Sequence, residues 1–371
     1  MKKSAIVLAA GSLLAGSAFA QTSVTLYGIA DASIRYENHA DASGHGRTYM
    51  TDGAITQSRW GLKGAEDLGN GLKAIFQLEN GYSLDTGKMN GASTGQLFNR
   101  QAYVGLAGTF GTVKLGRQNS EAFAFFGDYD PLTVGNYFQN SWMYGTLARL
   151  RNNNVLNYSG KFGGLDVGAS YAFGETPGSF TKASGDPTSN GSSVPYWGAH
   201  AAYEFGPFGV GGVFQESRDQ NGNKQQFWGV GGKYNIAAFK LFLGYQGGKD
   251  RTGAADINLN QSATAPTAAA IIAGAANNPR KDSIAYAGTT WQASPALALT
   301  GAFYYDWAKN VNGTTASGKR YTGAFIAEYS LSKRTQVYGA ADYNHTSGQS
   351  VTELPSSNNQ FGVAAGIRHI F

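Results

Sequence analysis

The sequence contains no cysteine. That excludes a disulfide scaffold, a thiolate metal site, a cysteine nucleophile and a lipid-modified cysteine anchor. Charge is sparse, at 14% of residues against about 25% in an ordinary domain. Proline is rare, with 9 in 371 residues. Long apolar runs are missing as well. Beyond residue 20 the longest is Ala268–Ala276, against the roughly 20 residues that a transmembrane helix needs. The five histidines, His39, His45, His200, His345 and His369, have no metal-ligand spacing, so neither metal nor cofactor is expected. The formal charge of +5 has no Lys/Arg cluster behind it, which argues against a nucleic-acid partner. What is plentiful is glycine, 52 residues and about twice the usual share, with 13% aromatics. A hydrophobic content of 42% excludes intrinsic disorder. Glycine and aromatics with little proline point to extended β-structure.

Residues 1–20 have the three parts of an export signal. Lys2 and Lys3 are the basic start, Ala5–Ala10 and Leu13–Ala15 the apolar centre, and Ala18-Phe19-Ala20 the cleavage site. Cleavage there starts the mature chain at Gln21 and lowers the formal charge to +3, since two lysines leave. A cysteine-free exported protein fits a bacterial envelope.

The dominant pattern in the remainder is alternation of period two. Val24, Leu26, Gly28, Ala30, Ala32 and Ile34 share one side of a strand, with Thr25, Tyr27, Asp31, Ser33 and Arg35 on the other. Leu72, Ala74, Phe76 and Leu78 oppose Lys73, Gln77 and Glu79. The last stretch sets Phe361, Val363, Ala365, Ile367 and Phe371 against Gly362, Gly366 and Arg368. About sixteen such segments can be placed, centred near Gly28, Leu62, Phe76, Tyr103, Val113, Leu156, Val167, Ala199, Val213, Val230, Leu243, Tyr286, Leu299, Phe325, Tyr338 and Ala365.

Short connections such as Asp67–Gly71, Gly108–Gly111 and Ile236–Phe239 alternate with long ones such as Asn119–Asn152, Gly174–Pro195 and Gly248–Asp282. Antiparallel neighbours turn at opposite ends of a sheet, so one end carries tight turns and the other extended loops. That sorting is characteristic of transmembrane barrels. The barrel must close, because an unpaired edge cannot be satisfied in hydrocarbon. The expectation is an all-β, 16-stranded antiparallel transmembrane β-barrel in one domain, 21–371, with a short helix at Ala268–Ala276. Its apolar face meets outer-membrane lipid and its polar face encloses water. Asp31, Lys63, Lys73 and Glu79 fall on the inward side, whereas Arg117 shares the outward parity of Val113 and Leu115 and is expected in a subunit contact.

Five stretches resemble the general porins of Gram-negative bacteria, above all the trimeric porins of β-proteobacteria. They are Val24-Thr25-Leu26-Tyr27-Gly28; Ser58-Arg59-Trp60-Gly61-Leu62-Lys63-Gly64-Ala65-Glu66-Asp67-Leu68-Gly69; Asn99-Arg100-Gln101-Ala102-Tyr103-Val104-Gly105-Leu106; Leu115-Gly116-Arg117-Gln118; and Gly366-Ile367-Arg368-His369-Ile370-Phe371. The resemblance implies an outer-membrane homotrimer that passes ions and small hydrophilic solutes passively, with short periplasmic turns, long outer loops and a third loop folded into the pore. It implies that Arg59, Arg100 and Arg151 form a basic constriction wall. Across from them, loop 119–150 offers Glu121, Asp128 and Asp130. The Pro-Glu-Phe-Gly-Gly signature of enterobacterial relatives is replaced by Asp130-Pro131-Leu132-Thr133-Val134-Gly135, and Ile29 stands near a family lysine. The resemblance also implies that Phe371 is read by the outer-membrane assembly machinery. Three arginines at the narrowest wall, with a net positive chain, predict a weak preference for anions.

Two strings are decoys. Gly91-Ala92-Ser93-Thr94-Gly95 matches a nucleophile elbow but lies in a polar loop. Gly313–Lys319 matches part of a phosphate loop, but Arg320 replaces the Ser/Thr. A barrel hydrolase would need a Ser/His pair at one rim, and the scattered histidines supply none. A loop-borne adhesin would need hydrophobic anchors in its loops. A solute-specific channel remains the alternative, and neither an aromatic slide nor a lysine ladder is evident for it.

Overall fold

The computed structural model describes residues 23–90, 95–133, 142–147, 149–183 and 194–371. The expected export signal, 1–20, lies outside the described residues. The strands are β1 (Ser23–Glu37), β2 (Arg47–Asp52), β3 (Arg59–Gly69), β4 (Leu72–Gly81), β5 (Gln101–Gly108), β6 (Gly111–Asn119), β7 (Arg151–Phe162), β8 (Leu165–Ala172), a hairpin of β9 (Glu175–Thr176) and β10 (Ser179–Ala183), β11 (Tyr196–Phe205), β12 (Phe208–Arg218), β13 (Lys224–Ile236), β14 (Phe239–Asp250), β15 (Arg280–Gln292), β16 (Leu297–Lys309), β17 (Ser317–Ser330), β18 (Thr335–Gly348) and β19 (Asn359–Ile370). All but the hairpin join one sheet, in which every strand pairs antiparallel with its chain neighbour and β1 pairs with β19. Both β2 and β3 pair with β1, as two parts of one wall strand. The wall is therefore a closed barrel of sixteen strands.

Alternation explains why these segments are strands. A wall one residue thick has lipid on one side and water or packed protein on the other. Val24, Leu26 and Ile34 project outward and are exposed, while Asp31, Ser33 and Arg35 of the same strand point inward and are buried. Leu243, at 68% exposure, would be a liability in water but is the expected face in a bilayer. Aromatics mark both interfaces. Near the tight turns, Tyr203, Phe205, Phe208 and Tyr234 stack in series with centroids 6.0, 5.6 and 4.4 Å apart. Toward the long loops lie the pairs Trp197–Phe214 and Trp228–Tyr245, at 5.0 and 5.3 Å.

The barrel closes where Gly28 and Phe371 exchange two backbone hydrogen bonds, of 2.9 and 3.0 Å. The Phe371 ring lies over Gly28, and a Cβ there would also sit 2.7 Å from the Arg59 carbonyl oxygen, which favours glycine at this position.

Between β6 and β7 the chain folds into the lumen as α1 (Glu121–Tyr129) and α2 (Trp142–Thr146). Ser120 caps α1 by accepting the Phe123 N–H. Ala122, Phe125, Phe126 and Tyr129 of α1 pack with Val213, Phe227, Ile284 and Tyr286 of the wall in one apolar cluster. Trp142, Met143 and Leu147 extend the cluster to Tyr304, Ile326 and Tyr338. Each large side chain buried this way contributes about 1.5–3 kcal/mol. The loop thus leans on the β11–β18 side, with the first residue of α1 also held by β7 and β8. In the loop between β14 and β15 lie α3 (Ala254–Leu259), whose Leu259 joins the third-loop cluster, and α4 (Ala268–Ala275), which falls on the apolar run expected to be helical.

Candidate functional site in the lumen

Arg59, at the start of β3, and Arg100, just before β5, stand on either side of β4 at the centre of the basic wall. Arg100 is buried, with Nε donating to Glu79 Oε1 at 2.6 Å and Nη1 donating to the Gln57 side-chain oxygen. Glu79 also accepts the Tyr27 hydroxyl at 2.9 Å, so it is an inward group held by the wall. Arg59 opens β3 and donates from Nε to the Gln57 carbonyl at 3.1 Å. Arg151 opens β7, with its guanidinium 5.1 Å from the centre of the Phe123 ring on α1. Farther toward the tight turns, Lys63 lies 5.3 Å from the Tyr27 ring and Lys114 lies 5.4 Å from the Tyr103 ring. Gln77 bridges these tyrosines, accepting from Tyr103 at 2.7 Å and donating to Tyr27 at 2.5 Å. Lys73 is exposed near the tight-turn rim, opposite Asp67.

The acidic wall expected on the third loop is built differently. Glu121 is 2% exposed and turned to the barrel wall, where His200 Nδ1 lies 2.5 Å away, Asn157 donates at 2.9 Å and the Ser170 hydroxyl donates as well. Asp130 is equally buried and accepts the Tyr304 hydroxyl. Asp128 is half exposed and pairs with Lys233, with Lys240 Nζ at 3.6 Å. Burial alone would raise the Asp128 carboxyl, but the lysine pair outweighs it and holds the group below the usual carboxylate range. All three carboxylates pin the loop to the wall, and it is Phe123 of α1 that meets Arg151. The physical reason is the apolar face of α1. Once that face docks on the wall, the polar groups at its two ends need partners: Glu121 finds them on β7, β8 and β11, and Asp128 and Asp130 find them on β13, β14 and β16.

Asp31 also departs from expectation. It points inward but is fully buried beneath residues 53–58, accepting the Thr56 N–H and hydroxyl at 2.9 Å each and the Tyr338 hydroxyl at 2.5 Å. It anchors structure and does not line the water path. Arg117 stands opposite Ala102 on the outward parity. It finds its partners within the chain, donating to the Asn99 carbonyl at 2.8 Å and to Asn153 at 2.5 Å.

Sequence reasoning missed Gln57, His200, Lys233, Lys240 and Tyr304. For the two lysines a signal existed, since both fall on the inward parity flanking the tight turn 236–239. It also missed a buried charge cluster at the outer mouth. There Arg280 meets Asp256, Asp282 and Glu353 at 2.8, 2.8 and 2.9 Å, with Asp306 at 3.6 Å. Arg320 joins the same Glu353 at 3.4 Å. Among the described residues no group of three or more His, Asp or Glu is placed to hold a metal ion.

A closed barrel with an apolar outer face, two aromatic belts and a polar lumen defines an outer-membrane β-barrel. Residues 4–349 match a family described as Gram-negative porin, and the chain belongs to that family. An outer membrane porin protein of Bordetella pertussis is 39% identical over 188 residues, 47% of this chain and 48% of that protein. Outer membrane porin protein 32 of Delftia acidovorans is 38% identical over 216 residues, 56% of this chain and 57% of that protein. The chain thus spans about half the length of the curated relatives it matches. Among solved structures, the anion-selective porin from Comamonas acidovorans superposes with a TM-score of 0.73 at 25% identity, covering 95% of this chain and all of that one. OmpT of Vibrio cholerae, at 15% identity and a TM-score of 0.67 over 94% of this chain and 98% of that one, shares the fold.

Proposed function

We propose that the chain is a general diffusion porin that passes ions and small hydrophilic solutes and prefers anions. The observation that carries this reading is that Glu121, Asp128 and Asp130 are each engaged by side chains of the barrel wall, while it is Phe123 of the third loop that meets Arg151. Glu79 is the one carboxylate paired with Arg100, against the three guanidiniums Arg59, Arg100 and Arg151. Lys63 and Lys114 continue it toward the tight-turn end. Two unit charges 4 Å apart interact by about 1 kcal/mol in bulk water and about 4 kcal/mol at an effective dielectric near 20. A basic wall of this kind raises the local anion concentration, and salt weakens the effect. The folded-in loop sets the size limit, and no chemistry is involved. The anion selectivity in the name of the Comamonas porin supports the same reading.

The zero-current potential across a KCl gradient tests it. Wild type should favour Cl⁻, and replacing Arg59, Arg100 and Arg151 by alanine should reduce that preference. A wild type that prefers K⁺, or a triple variant with an unchanged potential, overturns the proposal.

The reading includes a homotrimer. Small outward residues, Ala30 and Ala32 on β1 with Ala365 on β19, lie along the closing seam beside the exposed Ile34 and Ile367. Native mass spectrometry in mild detergent should give three chains, and a monomer would contradict it. A solute-specific channel is the second reading, favoured by the Tyr27–Gln77–Tyr103 hydrogen-bond chain beside Lys63 and Lys114. Ion current blocked saturably by one hydroxylated anion would support it.

A further inference from the structure

The second wall strand is interrupted. β2 ends with Asp52 opposite Ala32, and β3 begins with Arg59 opposite Ile29. Two residues of β1 therefore face six residues, 53–58, and the surplus turns into the lumen. Gly53 makes the turn possible with φ +65°, in the left-handed region, and a Cβ there would lie 1.8 Å from the Thr56 carbonyl oxygen. Ala54 and Ile55 are buried in the same apolar cluster as the third-loop helices. Asp31 fastens the detour at both ends. Its carbonyl accepts the Gly53 N–H at 2.9 Å and the Ser58 hydroxyl at 3.1 Å, and its carboxylate holds Thr56.

Three guanidiniums converge on this detour. The Gln57 carbonyl accepts from Arg59 and the Gln57 side-chain oxygen accepts from Arg100. The Thr56 hydroxyl accepts from Arg368 at 3.2 Å. Hydrogen bonds to a charged donor are about twice as strong as neutral ones and are directional. Gln57 thus offers two neutral acceptors, its carbonyl for Arg59 and its side-chain oxygen for Arg100, which align the guanidiniums without cancelling their charge as a carboxylate would. Glu79 balances Arg100 from one side only.

We propose that the detour 53–58 is a selectivity-determining element, in which Gln57 is the positioning residue that holds the Arg59 and Arg100 guanidiniums at the narrow part of the pore. This rests on the diffusion-porin reading for its direction, but the coupling between Gln57 and Arg100 does not depend on which ion is preferred. The detour also explains why Arg59, the first residue of a wall strand, reaches the lumen with a fixed orientation.

The test is a double-mutant cycle on folded protein in planar bilayers, with Gln57→Met, Arg100→Ala and both together. Folding is scored for each by heat-modifiable migration. Gln57→Met keeps the side-chain length and removes the acceptor, so the Cl⁻/K⁺ permeability ratio should fall about two- to fivefold, in keeping with one displaced charge. Gln57→Asn serves as a second variant that keeps an amide, and it should fall less. In the Arg100→Ala background, Gln57→Met should have little further effect. An unchanged ratio in Gln57→Met, or an equal shift with and without Arg100, overturns the proposal. A K⁺-preferring wild type with the coupling intact sinks the anion reading and leaves the positioning role standing.

Discussion

Replacing Arg280 with methionine would cut the knot that ties two outer loops to the barrel. The guanidinium is 1% exposed and contacts four carboxylates. Asp282 and Asp306 belong to the wall strands β15 and β16, Asp256 to α3 and Glu353 to the connection between β18 and β19. One side chain therefore holds two loops. Removing one partner of a buried ion pair costs about 3–5 kcal/mol, because the other charge stays buried without compensation. Here Arg320 would remain as the cluster's guanidinium, and the excess of negative charge would favour opening the loops to water. At about 1.4 kcal/mol per factor of ten, the open population should rise roughly 10²- to 10⁴-fold. The wall, held by its own ladders, should not follow. Hydrogen exchange read by mass spectrometry is the assay. Peptides covering residues 254–259 and 349–353 should lose protection together, while those of β4 to β6 keep it. Arg280→Lys retains the charge but not the planar fork, and should fall between. Unchanged protection in both loops, loss in only one, or equal loss throughout the barrel would refute the reasoning.

Asp128→Asn removes the carboxylate from Lys233 and Lys240 and should raise the Cl⁻/K⁺ ratio about two- to fivefold, since a unit charge a few ångströms from the ion path in water is worth about 0.5–1 kcal/mol. A zero-current potential that does not move would contradict this. The same carboxyl titrates below its unfolded value, so its contribution to holding the loop is present above about pH 4 and is lost as pH falls through the lowered folded value. Selectivity should accordingly stay flat from neutral pH to about pH 5 and become more anionic in stronger acid; a change centred near neutrality would point to another group. Deleting Phe371 removes two backbone bonds and the ring over Gly28, and should lower the yield of heat-modifiable protein in outer membranes; an undiminished yield counts against the seam. Mass spectrometry of the envelope protein should find Gln21 at the N-terminus, and retention of Met1 would contradict the export signal.

All sixteen segment centres expected from alternation lie within wall strands, from Gly28 in β1 to Ala365 in β19. They were legible because a barrel wall separates two solvents, and each residue's side is set by its neighbours in sequence. The tight turns were legible for the same local reason. The lumen was less so. Glu121 and His200 are 79 residues apart, and Asp130 and Tyr304 are 174 apart. Which wall the third loop leans on decides these pairings, and that depends on the apolar face of α1 meeting Phe227 and Tyr286. The detour at residues 53–58 was equally hidden, because its anchor joins Asp31 to Tyr338, 307 residues away.

The seam between β1 and β19 also imposes an order in time. Ile29 to Glu37 pair with Gly362 to Ile370, so the first strand to enter the periplasm waits for the last before its partner exists. Until then the nascent sheet carries two open edges, the arrangement most prone to pairing with another chain. Contacts so far apart in sequence form slowly. The commitment step of folding is therefore a single late event at one line on the wall, and an intermediate held at that stage is an open sheet in need of a guardian. A second chain offering a spare strand there would compete directly with closure. The interval between arrival of β1 and arrival of β19 is thus the period in which this protein is most exposed to loss.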